Sequence, residues 1–379
     1  MKKLNKKIII GINACRARSG GAYTHIKNIL KYLRKNKFDI YKIHIWSHKK
    51  LLNTLDDKNW IVKHNPKNLE KGILSQLFWE WQELPNELSS NKCSILFNVD
   101  AGTLCRFKPM ITMSRDMLSY EPKEIARYGF NLQKLRLILL RYIQNASLQN
   151  SQSVIFLTKY AGNKIQKYTG KLKNVSFITH GVSKNFKRKK IFFFNPNAKL
   201  KCIYISNVLP YKHHFNVIDG VNLVKQQGYD IALNLVGIET DNQSKKILKK
   251  IKSINLKNKF INVKKFQDQK ILPKLIDDAD IFIFASTCEN MPNTLVEAMS
   301  MQIPIICSNY GPMPEVLEDG GLYFDPEQPK ELESCIIKLI KNPNLARRLS
   351  KKAKNLSRKY SWEKCSNETF GLIRSMINK

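Results

Sequence analysis

At 379 residues and 43% hydrophobic content, the chain is long enough for two cores and too apolar to remain disordered. No apolar run approaches the length that spans a bilayer, and the one following MKKLNKK is too short for a signal peptide, so neither a membrane span nor a secretory leader is expected. The 65 basic residues against 30 acidic ones, a net charge of +35, point to anionic surroundings.

Residues 7–12 form a first apolar strand that runs into Asn13-Ala14-Cys15-Arg16-Ala17-Arg18-Ser19-Gly20-Gly21-Ala22. A helix follows, with Tyr23, Ile26, Ile29, Leu30 and Leu33 at helical spacing. The Gly20-Gly21 pair between strand and helix lets the backbone approach a ligand closely. The G-x-G-x-x-G fingerprint is absent, which argues against a dehydrogenase. Further strands are expected at 40–46, 60–62 and 94–98, with an aromatic-rich helix carrying Trp79, Trp81 and Leu84 ahead of Pro85. Ile111-Thr112-Met113 then leads to Ser114-Arg115-Asp116 at a strand end. Residues 131–149 make a strong helix, apolar nearly all round at Leu132, Leu135, Leu137, Ile138, Leu139, Leu140 and Ile143. Such a pattern predicts burial between the sheet and its neighbours. Lys134, Arg136 and Arg141 leave a membrane-surface role as the alternative. A strand at 153–157, a helix at 158–168 and a strand at 175–179 close the first half at His180-Gly181-Val182.

The Lys-rich stretch 187–198, broken by Pro196, reads as a linker. A second alternation begins with a strand at 200–206 and a loop at 207–214 that carries Pro210 and Lys212. Helices at 216–227, 241–251 and 270–277 alternate with strands at 231–236, 260–263 and 280–284. The stretch 285–306, ASTCENMPNTLVEAMSMQIPII, then completes a strand, loop, helix, strand unit. Glu289 lies in its loop, and Glu297 stands eight residues on, in its helix. Ligands of open parallel sheets bind outside the carboxyl ends of the strands. Backbone N–H groups at the helix start, around Asn293 and Thr294, suit an anion, and the carboxylates suit hydroxyls. A sugar nucleotide combines both. The tail from Pro329 is helical; its last helix opens at Ser361-Trp362-Glu363, with Ser361 as N-cap and Lys364 where a capping box needs Glu or Gln. Alternation in both halves predicts two doubly wound α/β domains. Eight cysteines with no C-x-x-C pair suit a reduced, cytoplasmic setting without structural zinc. The basic residues are spread out, as at 187–190 and 245–252, and no nucleic-acid fold motif accompanies them. Part of the charge excess is read as compositional, and the rest suits the anionic inner membrane surface.

The E-x7-E pattern of Glu289 and Glu297, followed by Ala298-Met299 and Ile303-Pro304-Ile305-Ile306, resembles the donor-site signature of retaining GT-B glycosyltransferases of the family-4 type, glycosyl transferases group 1. The resemblance implies an α/β, GT-B fold: two doubly wound Rossmann-like domains facing a central cleft, with a C-terminal helix crossing back to the first domain. It divides the chain into an acceptor-side domain at 1–186, the linker 187–198, a nucleotide-sugar donor domain at 199–358 and the C-terminal helix at 359–379. It also assigns roles. Lys212 would neutralise the donor diphosphate, helped by Arg16 or Arg18, because Ser206-Asn207 stand where the family has Gly-Arg. Glu289 would hold the donor-sugar hydroxyls and Glu297 the ribose, with Asn207, Asn290, Met291, Pro292, Asn293 and Thr294 completing the donor site. Gly20 and Gly21 would lie beside the donor diphosphate or the acceptor. Arg115 stands where the family often has a His, followed by Asp116, and these two join Glu289 and Lys212 as catalytic candidates. His180-Gly181-Val182 resembles the family's N-G-V stretch, and Tyr360-Ser361-Trp362 its closing helix.

The activity implied is transfer of a hexosyl-type sugar from a nucleotide diphosphate sugar to a glycan or lipid-linked acceptor. Anomeric configuration would be retained, by front-face attack with the leaving phosphate as base. No cofactor and no metal are expected, since no D-x-D pair is placed for one. The expected setting is bacterial cell-surface polysaccharide or lipopolysaccharide biosynthesis, cytoplasmic or peripheral on the inner face of the membrane. Two competing classes remain: another GT-B activity, such as a sugar-nucleotide epimerase or a phosphorylase, and a basic nucleic-acid-binding protein.

Overall fold

The computed structural model describes residues 7–18, 20–129, 131–188, 195, 198–255 and 259–377. The chain divides into two compact units. The first holds Met1–Ile125, Gly129–Gly181 and Ser361–Lys379; the second holds Ala126–Tyr128 and Val182–Tyr360. Of the expected linker 187–198, residues 189–194, 196 and 197 lie outside the described residues, as does Ser19 of the first loop.

The first unit is built from β1 (Ile8–Asn13), α1 (Gly21–Tyr32), β2 (Ile40–Trp46), α2 (Lys49–Leu52), β3 (Ile61–His64), α3 (Ile73–Gln82) and α4 (Leu84–Ser90). It continues through β4 (Ile95–Asn98), β5 (Met110–Met113), α5 (Pro122–Ala126), α6 (Leu132–Asn150), β6 (Ser153–Phe156), α7 (Lys159–Thr169) and β7 (Val175–Phe177). Its seven strands pair in the order β3-β2-β1-β4-β5-β6-β7, all parallel. The central strands IIIGIN, ILFN, MITM and SVIF are near-continuous apolar runs, as strands covered on both faces must be. Trp46, Trp79, Leu84, Leu88 and Leu96 form part of its core.

One expectation is overturned in this unit. The helix at 131–149 was expected to be buried. Instead α6 buries only Leu137, Gln144, Ser147 and Leu148, while Leu132, Leu135, Leu139 and Tyr142 are exposed. The physical reason is that the inward arc is fixed by polar anchoring: Gln144 Nε2 donates to Asp116 Oδ2 at 3.3 Å. A helix apolar on every side gives no sequence signal for which arc turns inward.

The second unit runs through β8 (Leu200–Ile205), α8 (His214–Gln226), β9 (Ile231–Val236), α9 (Asn242–Asn255), β10 (Ile261–Lys264), α10 (Leu272–Asp277) and β11 (Ile281–Phe284). It ends with α11 (Asn293–Ser300), β12 (Ile305–Ser308), α12 (Met313–Leu317), β13 (Leu322–Phe324), α13 (Pro329–Lys341) and α14 (Pro343–Ser357). Six parallel strands take the order β10-β9-β8-β11-β12-β13. Both units are therefore Rossmann-like α/β layers, as the alternation of the sequence implies. In the second, the strand order reverses between β8 and β11, which makes the loops after these two strands the edges of a switch-point crevice.

The last helix, α15 (Trp362–Ile377), belongs to the first unit, where it packs on α1. Ser361 Oγ accepts from the Lys364 amide at 3.4 Å, the cap expected from the sequence. Ser366 Oγ donates to the Ile29 carbonyl at 2.7 Å. A Cβ at Gly181 would fall 2.0 Å from the Trp362 nitrogen, so only glycine lets this helix start against the end of the first sheet.

Candidate active site

The switch point of the second unit explains how residues far apart in sequence meet. β8 and β11 pair in parallel, so the loops leaving their carboxyl ends run side by side. Cross-links tie them together. The Thr287 amide donates to the Tyr211 carbonyl at 3.0 Å, and the His213 ring nitrogen Nε2 lies 3.0 Å from Thr287 Oγ1. Tyr204 on β8 donates its hydroxyl to the Lys212 carbonyl at 2.6 Å. His213 adopts a left-handed backbone conformation, φ 48°, between the turn Pro210–Lys212 and α8. The outcome is a hydrogen-bonded ion pair between Lys212 Nζ and Glu289 Oε1, both side chains largely covered. The ammonium also lies 5.4 Å from the Tyr211 ring centre and 5.9 Å from that of Phe284.

The remaining donor-side candidates cluster around this pair in the chain. Asn290, Met291 and Pro292 are buried in the loop, and Pro292 caps α11. The Asn293 amide donates to the Met291 carbonyl at 3.0 Å, and the Thr294 amide stands at the second helical position. Glu297 sits in the second turn of α11 and is 6% exposed. Burial raises its carboxyl to about 7, opposed by the hydrogen bond that Gln269 Nε2 donates to its Oε1 at 2.9 Å. Asn207 is exposed on the β8 loop, and its carbonyl accepts from Ser206 Oγ at 2.9 Å. A cavity of about 370 Å³ borders the same loop, lined by Val208, Leu209, Pro210, His213, Asn216 and the Arg127–Glu327 ion pair, among others. Lys212, Glu289 and Glu297 do not line it, so the cavity is a separate hollow.

The other candidates belong to the first unit and are not brought to this pair by the second unit's own fold. Gly20 precedes α1 at φ 57°, ψ −134°, a conformation open to glycine alone, and a Cβ there would meet nothing within 4 Å. Gly21 opens the helix. Arg16 Nε donates to the Gly102 carbonyl at 2.6 Å and Arg18 to Gln76 Oε1 on α3 at 3.0 Å, so each cation already has a partner within the first unit. Arg115 is half-buried and feels the Asp100 carboxylate. Asp116 accepts from the Leu118 amide at 3.2 Å and from Ser119 Oγ at 2.8 Å, besides Gln144. The His180 ring stacks on His25 at 4.8 Å and faces Trp362 at 5.4 Å. Burial, then the neighbouring His180 and Arg115, push His25 well below the usual imidazole range, so it is neutral. Among the described residues, no group of three or more His, Cys, Asp or Glu is placed to hold a metal ion.

Comparison with known proteins now bears on these two sheets and their loops. Residues 185–356 match the family model for glycosyl transferases group 1. The match takes in nearly the whole of the second unit.

An uncharacterized glycosyltransferase of Methanocaldococcus jannaschii is 24% identical over 363 residues, covering 91% of this chain and 92% of its own. The O-antigen chain mannosyltransferase B of Escherichia coli is 30% identical over 103 residues, 27% of each chain. HepE of Anabaena, solved in complex with UDP-glucose, superposes with a TM-score of 0.72 at 16% identity, covering 97% of this chain and 99% of its own. The shared architecture is the GT-B fold of two Rossmann-like units, and the match to glycosyl transferases group 1 lies in the second of them. Within the second unit, sequence reasoning missed Gln269, His213, Thr287 and Tyr204. None carries a motif signal; only the adjacency of β8 and β11 places three of them.

Proposed function

We propose that the protein transfers a sugar from a nucleotide diphosphate sugar to a glycan or lipid-linked acceptor with retention of anomeric configuration. The observation that carries this reading is the Lys212–Glu289 pair at the switch point between β8 and β11, inside the segment that matches glycosyl transferases group 1. An arriving diphosphate competes with Glu289 for the ammonium, and the freed carboxylate then accepts hydrogen bonds from the donor-sugar hydroxyls. The Thr294 amide adds positive potential at the helix start, and Glu297, held by Gln269, accepts from the ribose.

In the reaction the bond from the anomeric carbon to the phosphate oxygen breaks, and its electron pair leaves on the diphosphate. The acceptor hydroxyl oxygen bonds to the same face of that carbon, and its proton passes to the departing phosphate oxygen. Preorganised charge opposite the leaving group usually supplies the largest catalytic effect, roughly 3 kcal/mol for one donor. Lys212 and Thr294 fill that role, and this reading needs no metal or other cofactor. Arg115 and Asp116 are proposed on the acceptor side with Gly20 and Gly21. The complex of HepE with UDP-glucose supports a nucleotide sugar donor, and the O-antigen mannosyltransferase supports a cell-surface polysaccharide product.

The test is a thermal-shift screen of nucleoside diphosphates, followed by transfer assays with the matching donor sugars in the presence of a chelator. NMR of the product reports the configuration at the new linkage. A product of inverted configuration overturns retention. Conversion of the sugar nucleotide alone to an isomer, with no acceptor, identifies an epimerase instead.

A further inference from the structure

We propose that the outward face of α6 docks the protein on an anionic lipid surface. Its leucines enter the interface while its basic residues meet the headgroups. Leu132, Leu135, Leu139 and Tyr142 are 84%, 53%, 55% and 63% exposed. Their spacing of three, four and three residues places them along one side of the 19-residue helix. The opposite side, which packs on the unit, includes the polar Gln144 and Ser147. This inverts the usual surface helix, whose apolar stripe faces the core and whose polar residues face water. A continuous exposed apolar stripe marks an interaction site.

Charge decides the occupant. α6 carries Lys134, Arg136 and Arg141 and no Asp or Glu, in a chain of net charge +35. A second copy of the chain seated on this face would oppose the same cations to one another, whereas anionic headgroups complement them. The Arg141 guanidinium lies 6.0 Å from the Tyr142 ring centre and 4.9 Å from that of Tyr168 on α7, so one cation is held beside aromatic rings. Among the described residues no helix is long and apolar enough to cross a membrane. A basic helix with an apolar face therefore lies in the plane of the interface. The overall charge draws the protein in over a range that salt shortens, and the leucines add a component that salt does not screen.

The experiment is flotation of the full chain with phosphatidylglycerol and with phosphatidylcholine vesicles, at low salt and at about 1 M salt, where the screening length is about 3 Å. The expected result is binding to phosphatidylglycerol only, with a fraction retained at high salt. The double substitution Leu135→Ser and Leu139→Ser should reduce that retained fraction by about tenfold or more, since inserting one leucine already shifts an equilibrium by that order. Lys134→Gln with Arg136→Gln should weaken low-salt binding and spare the retained fraction. Leu135, Arg136 and Leu139 are exposed and Lys134 is partly so, and unchanged circular dichroism confirms folding of each variant. Equal retention by wild type and the double-serine variant overturns the proposal, as does a wild type that does not float with phosphatidylglycerol. A wild type that is dimeric and does not float, with a monomeric double-serine variant, assigns the face to a second copy and also overturns it.

Discussion

Glu297→Gln isolates what the burial of one carboxyl does to the second unit. A free glutamic acid titrates near 4.5, but burial of Glu297 in α11 raises it to about 7. Below pH 4.5 the group is neutral in both folded and unfolded chains, and its burial costs nothing in charge. As pH rises, the unfolded chain ionises first while the folded chain must keep the proton, so the folded state loses stability. The loss is complete above about pH 7, where both forms are ionised. The step from 4.5 to about 7, at about 1.4 kcal/mol per pH unit, amounts to about 3 kcal/mol. A glutamine keeps an acceptor for Gln269 and removes the titration, at a fixed cost for its own amide that does not change with pH. Wild type should therefore fall by about 3 kcal/mol relative to the variant between pH 4.5 and pH 8. All five tryptophans belong to the first unit, so urea unfolding should be followed by circular dichroism, which sees both units. Parallel pH dependences for the two proteins would refute the buried-carboxyl argument.

Three other outcomes are expected. Glu289→Ala should lower turnover by about a hundredfold or more in a chain that circular dichroism shows to be folded, at a lower unfolding midpoint because the largely covered Lys212 ammonium loses its carboxylate; a folded variant with wild-type turnover removes Glu289 from the mechanism. Lys212→Ala should weaken a nucleoside diphosphate far more than the free nucleoside in calorimetric titration, and equal losses would separate Lys212 from the phosphates. Nucleotide affinity should decline as pH falls through about 7, where Glu297 takes up a proton and loses acceptor strength for the ribose. Gln269→Leu removes the hydrogen bond that lowers this carboxyl, so the decline should begin at higher pH, and an unmoved midpoint refutes the coupling.

The strands were legible for a physical reason. A parallel strand covered on both faces must be apolar along its length, and runs such as Ile281-Phe282-Ile283-Phe284 announce themselves. A helix start was legible where a side chain caps it: Ser361 Oγ accepts from the Lys364 amide at 3.4 Å, one residue before α15. The orientation of α6 was not legible. Leucine or isoleucine on every arc leaves the choice of inward face to the polar partners, and Asp116, the partner of Gln144, lies 28 residues away.

The site divides along the same line. Lys212 and Glu289 were each readable as residues of the loops that follow apolar strands, but their pairing across 77 residues follows only from the strand order β9-β8-β11-β12, which composition does not encode. Once β8 and β11 are neighbours, parallel pairing puts both loops at the same edge. The His213–Thr287 and Thr287–Tyr211 links then hold lysine to carboxylate. Opposite charges that are largely covered attract more strongly than in water, so the pair is a stable resting arrangement with its own cost of opening. A neutral sugar can add hydrogen bonds to Glu289 but cannot replace its charge beside Lys212. A diphosphate can, because it brings the negative charge that Glu289 gives up, and on the proposed reading this exchange would select a charged donor over the free sugar at the first step of binding.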